Sequence, residues 1–174
     1  MKGQLSKHIS VAKHIIDGSI TIDSVKEFQG MLQIFPNDPA LHRAYGDLLV
    51  RKQLFKAAGQ SYHRAAYLFA AAGLLLQAVV CQVLKWRIHP PTDAQTQKFW
   101  DILHKSKYHE IPTNTFLASL SHTELVAVMN AMELMHLPAG KTVKKIGDEE
   151  TALYFIVSGN IKATTYEPLE KNDF

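Results

Sequence analysis

Leu137-Pro138-Ala139-Gly140-Lys141, Ile146-Gly147-Asp148 and Leu153-Tyr154-Phe155-Ile156-Val157-Ser158-Gly159-Asn160 make up the stretch on which the fold reading turns. Short apolar runs alternate with glycines, the pattern expected where strands end and reverse. Residues 141–146, 153–157 and 160–165 are predicted as strands, with Ser158-Gly159 as a tight turn between the last two. Gly140, Gly147 and Gly159 are read as structural turns, places where the backbone bends, and not as ligand contacts.

The preceding hundred residues read differently. Phe28, Met31, Leu32 and Phe35 recur at three- and four-residue spacing, as do Leu41, Tyr45, Leu48 and Leu49, which predicts amphipathic helices. Asp17-Gly18, Pro36-Asn37-Asp38-Pro39, Gly73 and Pro90-Pro91 punctuate them. Residues 68–84 are apolar, but they contain Gln77, Gln82 and a central Gly73. A membrane-spanning helix needs about 20 mostly apolar residues, so this run predicts a buried helix–turn–helix. Ser121-His122-Thr123-Glu124, ahead of Leu125, Val128, Met129 and Met132, predicts a capping box that opens another amphipathic helix.

A weak period of 34 residues runs through the helical part. Ser24 and Phe28 return as Ala58 and Tyr62, Ala12 as Gly46, and Ile15 as Leu49. Pro36 follows Phe28 by eight residues. Small residues let two helices of a hairpin approach closely, and the aromatic fills the groove between them. In this spacing, residues 5–72 resemble tetratricopeptide repeats, and a degenerate third unit extends the resemblance to residue 106 through Val80, Thr92 and Thr96. His42 stands at the repeat's usual Trp position and Ala70 at its second proline. The competing reading is a plain helical bundle with coincidental spacing. The repeat resemblance implies a protein or peptide partner in the helical groove. Arg43, Asp47 and Arg51, at four-residue spacing on one helix face, are the candidate partner-binding residues. A solvated charged stripe accounts for the same three residues.

Phe116, Leu120-Ser121, Glu124-Leu125, Leu137-Pro138-Ala139-Gly140, Gly147-Asp148 and residues 153–159 carry a second resemblance. Residues 116–163 look like the opening half of a cyclic-nucleotide-binding domain. Ile146 and Glu149-Glu150 depart from that family's pattern. The resemblance implies a β jelly-roll, and about four of its roughly eight strands are represented. It also implies a phosphate-binding cassette, where an anionic diester meets converging backbone N–H groups and an arginine. The chain has no glycine after Gly159 and no arginine after Arg87. No cofactor-binding residue can therefore be assigned, and the resemblance leaves a cyclic nucleotide only as an expectation for a longer parent protein. Asn172-Asp173-Phe174 resembles the run that often precedes the cassette, or else marks an arbitrary break in a hairpin. An open half-roll would leave unpaired edges, so residues 134–174 are expected to be poorly ordered, completed by a second copy of the chain, or part of a longer native protein.

Composition bounds the rest. The 174 residues carry a formal charge of +3, and 47% are hydrophobic, enough for an ordinary core. Residues 1–107 hold 14 Lys and Arg against 7 Asp and Glu, and residues 108–174 hold 5 against 9. This split supports two regions with different surroundings. The basic residues are scattered and lack the stripe of a phosphate tracker, which argues against nucleic acid. The one cysteine, Cys81, sits in an apolar run and reads as a core residue. The nine histidines show no metal-binding spacing, and no nucleophile elbow, Walker loop or carboxylate pair appears. The sequence therefore predicts no catalytic residue, no metal site and no enzyme.

The expected architecture is α+β and mostly α. It has a tetratricopeptide-like helical region at 1–107, a linker at 108–115, and the incomplete start of a cyclic-nucleotide-binding-like domain at 116–174. The expected function is that of a cytoplasmic regulatory or signal-transduction protein or fragment with a helical interaction module, outside any membrane. Residues 116–135 would couple the two parts. The alternative is a stand-alone protein–protein interaction scaffold that binds no ligand.

Overall fold

The computed structural model describes residue 14 and residues 20–105, 111–145, 147–149 and 151–162. Ala12 and Ile15 of the repeat period, parts of the expected linker, and Asn172–Phe174 lie outside the described residues. The chain forms two units, Met1–Lys141 and Thr142–Phe174. In the first unit the described helices are α1 (Val25–Ile34), α2 (Pro39–Arg51), α3 (Phe55–Ala71), α4 (Leu75–Ile88), α5 (Asp93–His104), α6 (Pro112–Ser119) and α7 (His122–Ala131).

Local chemistry sets the helix boundaries. Ser24 Oγ accepts from the Glu27 N–H at 3.3 Å to open α1. Asp38 Oδ1 accepts from the Ala40 and Leu41 N–H groups at 2.9 and 3.0 Å, with Pro39 in the first turn of α2. Thr92 with Gln95 caps α5, and Ser121 with Glu124 forms the predicted capping box on α7.

Helices α2, α3 and α4 are joined by two three-residue connections of the same design. Leu54 N–H donates to Leu49 O at 2.8 Å and Gln53 N–H to Val50 O at 2.9 Å. Leu74 N–H donates to Phe69 O at 2.9 Å and Gly73 N–H to Ala70 O at 3.0 Å. Both are Schellman closures, which require a left-handed residue in the middle. Gly73 fills that place at φ 76°, while Gln53 is held at φ 59° despite its Cβ. Gly73 thus breaks the apolar run at 68–84 into two helices. Among the described residues no helix is long and apolar enough to cross a membrane.

The core runs through this stack. Phe28, Leu41, Ala44 and Leu48 pack α1 on α2, and Leu49, Ala58 and Tyr62 pack α2 on α3, with Leu84 and Ile88 of α4 against them. Nine of the fourteen residues of α4 are buried, so it is apolar on nearly every side, as a central helix must be. Burying each Leu or Val of this set stabilises the fold by about 1.5–3 kcal/mol. Helices α6 and α7 close the unit against α4 and α5. Asn114 Nδ2 donates to Gly73 O at 2.9 Å, Trp100 Nε1 to Leu120 O at 2.9 Å, and an Arg87 guanidinium N–H to Met132 O at 2.6 Å. Residues 116–131, which the nucleotide-domain resemblance set apart, therefore pack within the helical unit.

The β part of the expected fold requires correction. The described residues contain no strand, so a partial jelly-roll is not part of this structure, and the described fold is all-helical. A helix satisfies its backbone groups within one segment, whereas a strand needs a neighbour aligned in register. The runs at 141–145, 153–157 and 160–162 have the composition of strands, and none of their described residues forms one. They do contain turns. Lys141 N–H donates to Pro138 O at 3.2 Å, and Asp148 N–H to Lys145 O at 3.2 Å. Gly140, Gly147 and Gly159 stand at φ 79°, 92° and 91°.

Candidate functional site

Helix α2 carries the predicted stripe Arg43, Asp47 and Arg51, and the contact between α2 and α3 orients it. Gly46 is buried face to face with Tyr62. A Cβ at Gly46 would lie 2.6 Å from the tyrosine ring, so only glycine admits this approach. The ring is thereby seated so that Tyr62 Oη donates to Asp47 Oδ1 at 2.6 Å. Burial raises the Asp47 pKa above the ordinary aspartate value, against the lowering effects of the Tyr62 hydrogen bond and of Arg43 and Arg51. Burial, followed by the carboxylate of Asp47, pushes the Tyr62 phenol well above its usual range.

Arg43 stands beside the same pair. Its Nε is closed off from solvent and has no hydrogen-bond acceptor. From α4, Cys81 completes the cluster. It is fully buried, with its thiol pushed up to about 12, chiefly by burial. Such a thiol is no nucleophile at neutral pH. Arg51 lies at the end of the stripe, is largely exposed, and meets Asp23 at 3.8 Å. An exposed pair of that kind contributes little to stability. The structure therefore brings Arg43 and Asp47 together with Tyr62 and leaves Arg51 at the open end.

The repeat-period positions diverge in use. Phe28 and Tyr62 are both buried, and Phe28 meets Tyr45 at a 5.7 Å centroid distance. Ala58 lies inside α3, but Ser24 and Thr92 are N-caps. Thr96, at the aromatic position of the third unit, is buried, and its hydroxyl donates to Asp93 O at 2.8 Å. That hydroxyl is left to accept from His122 Nε2 of α7, 2.9 Å away. His42 Nε2 lies 2.9 Å from Pro36 O.

A second feature escaped the sequence reading. A cleft of about 410 Å³ is lined by Lys56, Gly59, Gln60 and His63 of α3, Lys85 of α4, and His89, which ends α4. His63 Nδ1 lies 3.5 Å from Lys85 Nζ, and its ring meets Tyr67 edge-on at 4.8 Å. Burial lowers the His63 pKa, helped by Lys85 and Lys98 and opposed by a Gln82 hydrogen bond. Burial, then Lys98, lowers that of Lys85. The basic residues that seemed scattered come together because Lys56 and Lys85 lie on neighbouring helices. The one sequence signal was the absence of acidic residues from α3 and α4.

Among the described residues, no group of three or more His, Cys, Asp or Glu could hold a metal ion. No family model matches the chain, and no curated protein or solved structure matches it.

Proposed function

We propose that the chain acts as a helical protein-interaction module, with α2–α4 as scaffold and Arg43, Asp47 and Arg51 as its partner-binding face. The observation that carries this reading is the state of Arg43. Its Nε is sealed from water without an acceptor, beside a carboxylate already taken by Tyr62. An unmade buried hydrogen bond costs about 1–3 kcal/mol. Gln82 Oε1 and Trp86 Nε1 of α4 bear the same cost, and Arg43 differs from them in belonging to the charged stripe of α2, where its remaining guanidinium N–H groups can meet a partner's carbonyl or carboxylate. Arg and Tyr are also the residue types that dominate binding energy at protein interfaces.

The proposal drops the nucleotide-binding roll, whose strands the described residues lack, and keeps the scaffold role, which the helical unit can perform by itself. It places the module in the cytosol, where a reducing environment suits the single buried thiol of Cys81. The test is Arg51→Glu, a substitution at an exposed position that leaves the core untouched. Affinity purification of the full chain from its own cells should lose at least one partner relative to the native protein, with helical circular dichroism unchanged. An identical partner set from both proteins would overturn the proposal.

A further inference from the structure

The cleft between α3 and α4 concentrates positive charge with nothing described to neutralise it. Lys56, His63, Lys85 and His89 line it, and Lys98 of α5 lies close enough to act on both His63 and Lys85. None of these five forms an ion pair with a described carboxylate. Lys98 acts on Lys85 as a like charge, and an entering anion relieves that repulsion. The seat is shaped as well as charged. Gly59 is buried, and a Cβ there would lie 3.1 Å from His89 Cδ2. The missing side chain lets the His89 imidazole lie against α3. The cleft contains no arginine, so planar bidentate capture of a carboxylate is not its geometry. Ammonium groups act as point charges and can surround a tetrahedral oxyanion from several sides.

We infer that the α3–α4 cleft is an anion-binding site that takes a phosphate group presented by a partner peptide. The peptide half of this statement rests on the interaction role proposed above, and the anion half rests on the cleft alone. A nucleic acid would need a basic track along the surface, and five residues around one cleft do not make one. Anion binding favours the protonated form of His63. The groups that face His63 are Lys85, Lys98, Gln82 and Tyr67. The two lysines oppose its protonation in the empty cleft, so an anion between them couples binding to proton uptake. Affinity for a non-titrating anion then rises as pH falls into the range where His63 takes up its proton.

The test follows the ring resonances of the nine histidines of the full chain by NMR at constant ionic strength. The titrants are inorganic phosphate, a phosphoserine hexapeptide, a hexaglutamate peptide and a single-stranded oligonucleotide, with sulfate used for the pH series. The expected result is saturable movement of His63 and His89 with phosphate and with the phosphoserine peptide, and weaker binding of hexaglutamate. Affinity should weaken by about tenfold or more in Lys56→Ala/Lys85→Ala and stay unchanged in Lys26→Ala. Sulfate should bind more tightly at pH 6 than at pH 8. Uniform, non-saturating shifts across all histidines, or an unaffected double variant, would overturn the anion site. Saturation by phosphate without binding of the phosphoserine peptide, or hexaglutamate binding as tightly as that peptide, would overturn phosphopeptide presentation and leave the anion seat standing. Preference for the oligonucleotide over both peptides would overturn it too. Loss of a partner in Arg51→Glu is read separately, so the two proposals can fail independently.

Discussion

Helices α2–α4 and the described residues of the second unit are both rich in apolar side chains and opposite in what they do with them. In the helical stack, Leu48, Ala58 and Leu75 are all fully buried. In residues 151–162, Leu153 is 72% exposed, Ile156 51% and Ile161 53%. Hydrophobicity alone therefore does not account for burial. A helix makes its own hydrogen bonds first and then offers a face to its neighbour, so each three-residue connection in α2–α4 delivers a ready partner. A strand-type sequence depends on a second strand for its backbone as well as its side chains, and in residues 151–162 Phe155 and Val157 are half-buried while Leu153, Ile156 and Ile161 stay exposed.

The sharpest way to break this contrast is to truncate one leucine on each side of it. Leu75→Ala should destabilise the helical unit by about 2–5 kcal/mol, the range for a fully buried leucine, whereas Leu153→Ala should stay within about 0.5 kcal/mol. Urea unfolding followed by helical circular dichroism reads both. Equal losses would mean that the second unit holds a core of its own. The next largest effect tests how the stack is packed. Gly46→Ala forces a Cβ into the rigid Tyr62 ring and should cost about 1–3 kcal/mol. Combined with Tyr62→Ala, the loss should be clearly less than the sum of the two single losses, because the clash disappears with the ring. Strict additivity would rule out the contact as the cause. The smallest effect compares the twin connections. Gln53→Gly removes left-handed strain and should stabilise by up to about 1 kcal/mol, whereas Gly73→Ala introduces it and should cost about as much or more. Thermal melts should move in opposite directions, and a shared sign would show that the two turns are not equivalent.

Much of the helical half was legible from local chemistry. Ser121 and Glu124 form the capping box their spacing announces, Gly73 divides the apolar run at 68–84, and Cys81 is buried. Each depends on interactions only a few residues apart or on apolar content. The β reading failed for the same reason that the helical one succeeded. Composition and glycine spacing at 137–160 identify turns, and Gly140, Gly147 and Gly159 all take positive φ. Strand pairing is a relation between segments, and no local pattern supplies it. Within the candidate site, the spacing of Arg43, Asp47 and Arg51 correctly implied one helix face. It gave no sign that Tyr62 would claim Asp47 or that Arg51 would lean towards Asp23.

The sequence by itself determined the cap of α7, the break at Gly73 and the turns at Gly140, Gly147 and Gly159, because those outcomes depend on hydrogen bonds and backbone freedom local to each segment. Only the tertiary structure decided the rest. It set Asp47 and Tyr62 into one hydrogen bond, left Arg43 Nε without an acceptor, and gathered Lys56, His63, Lys85 and His89 around one cleft. Charge and polarity take their energy from surroundings in three dimensions. Residues on different helices therefore become a site only when packing sets their distances and removes the water between them.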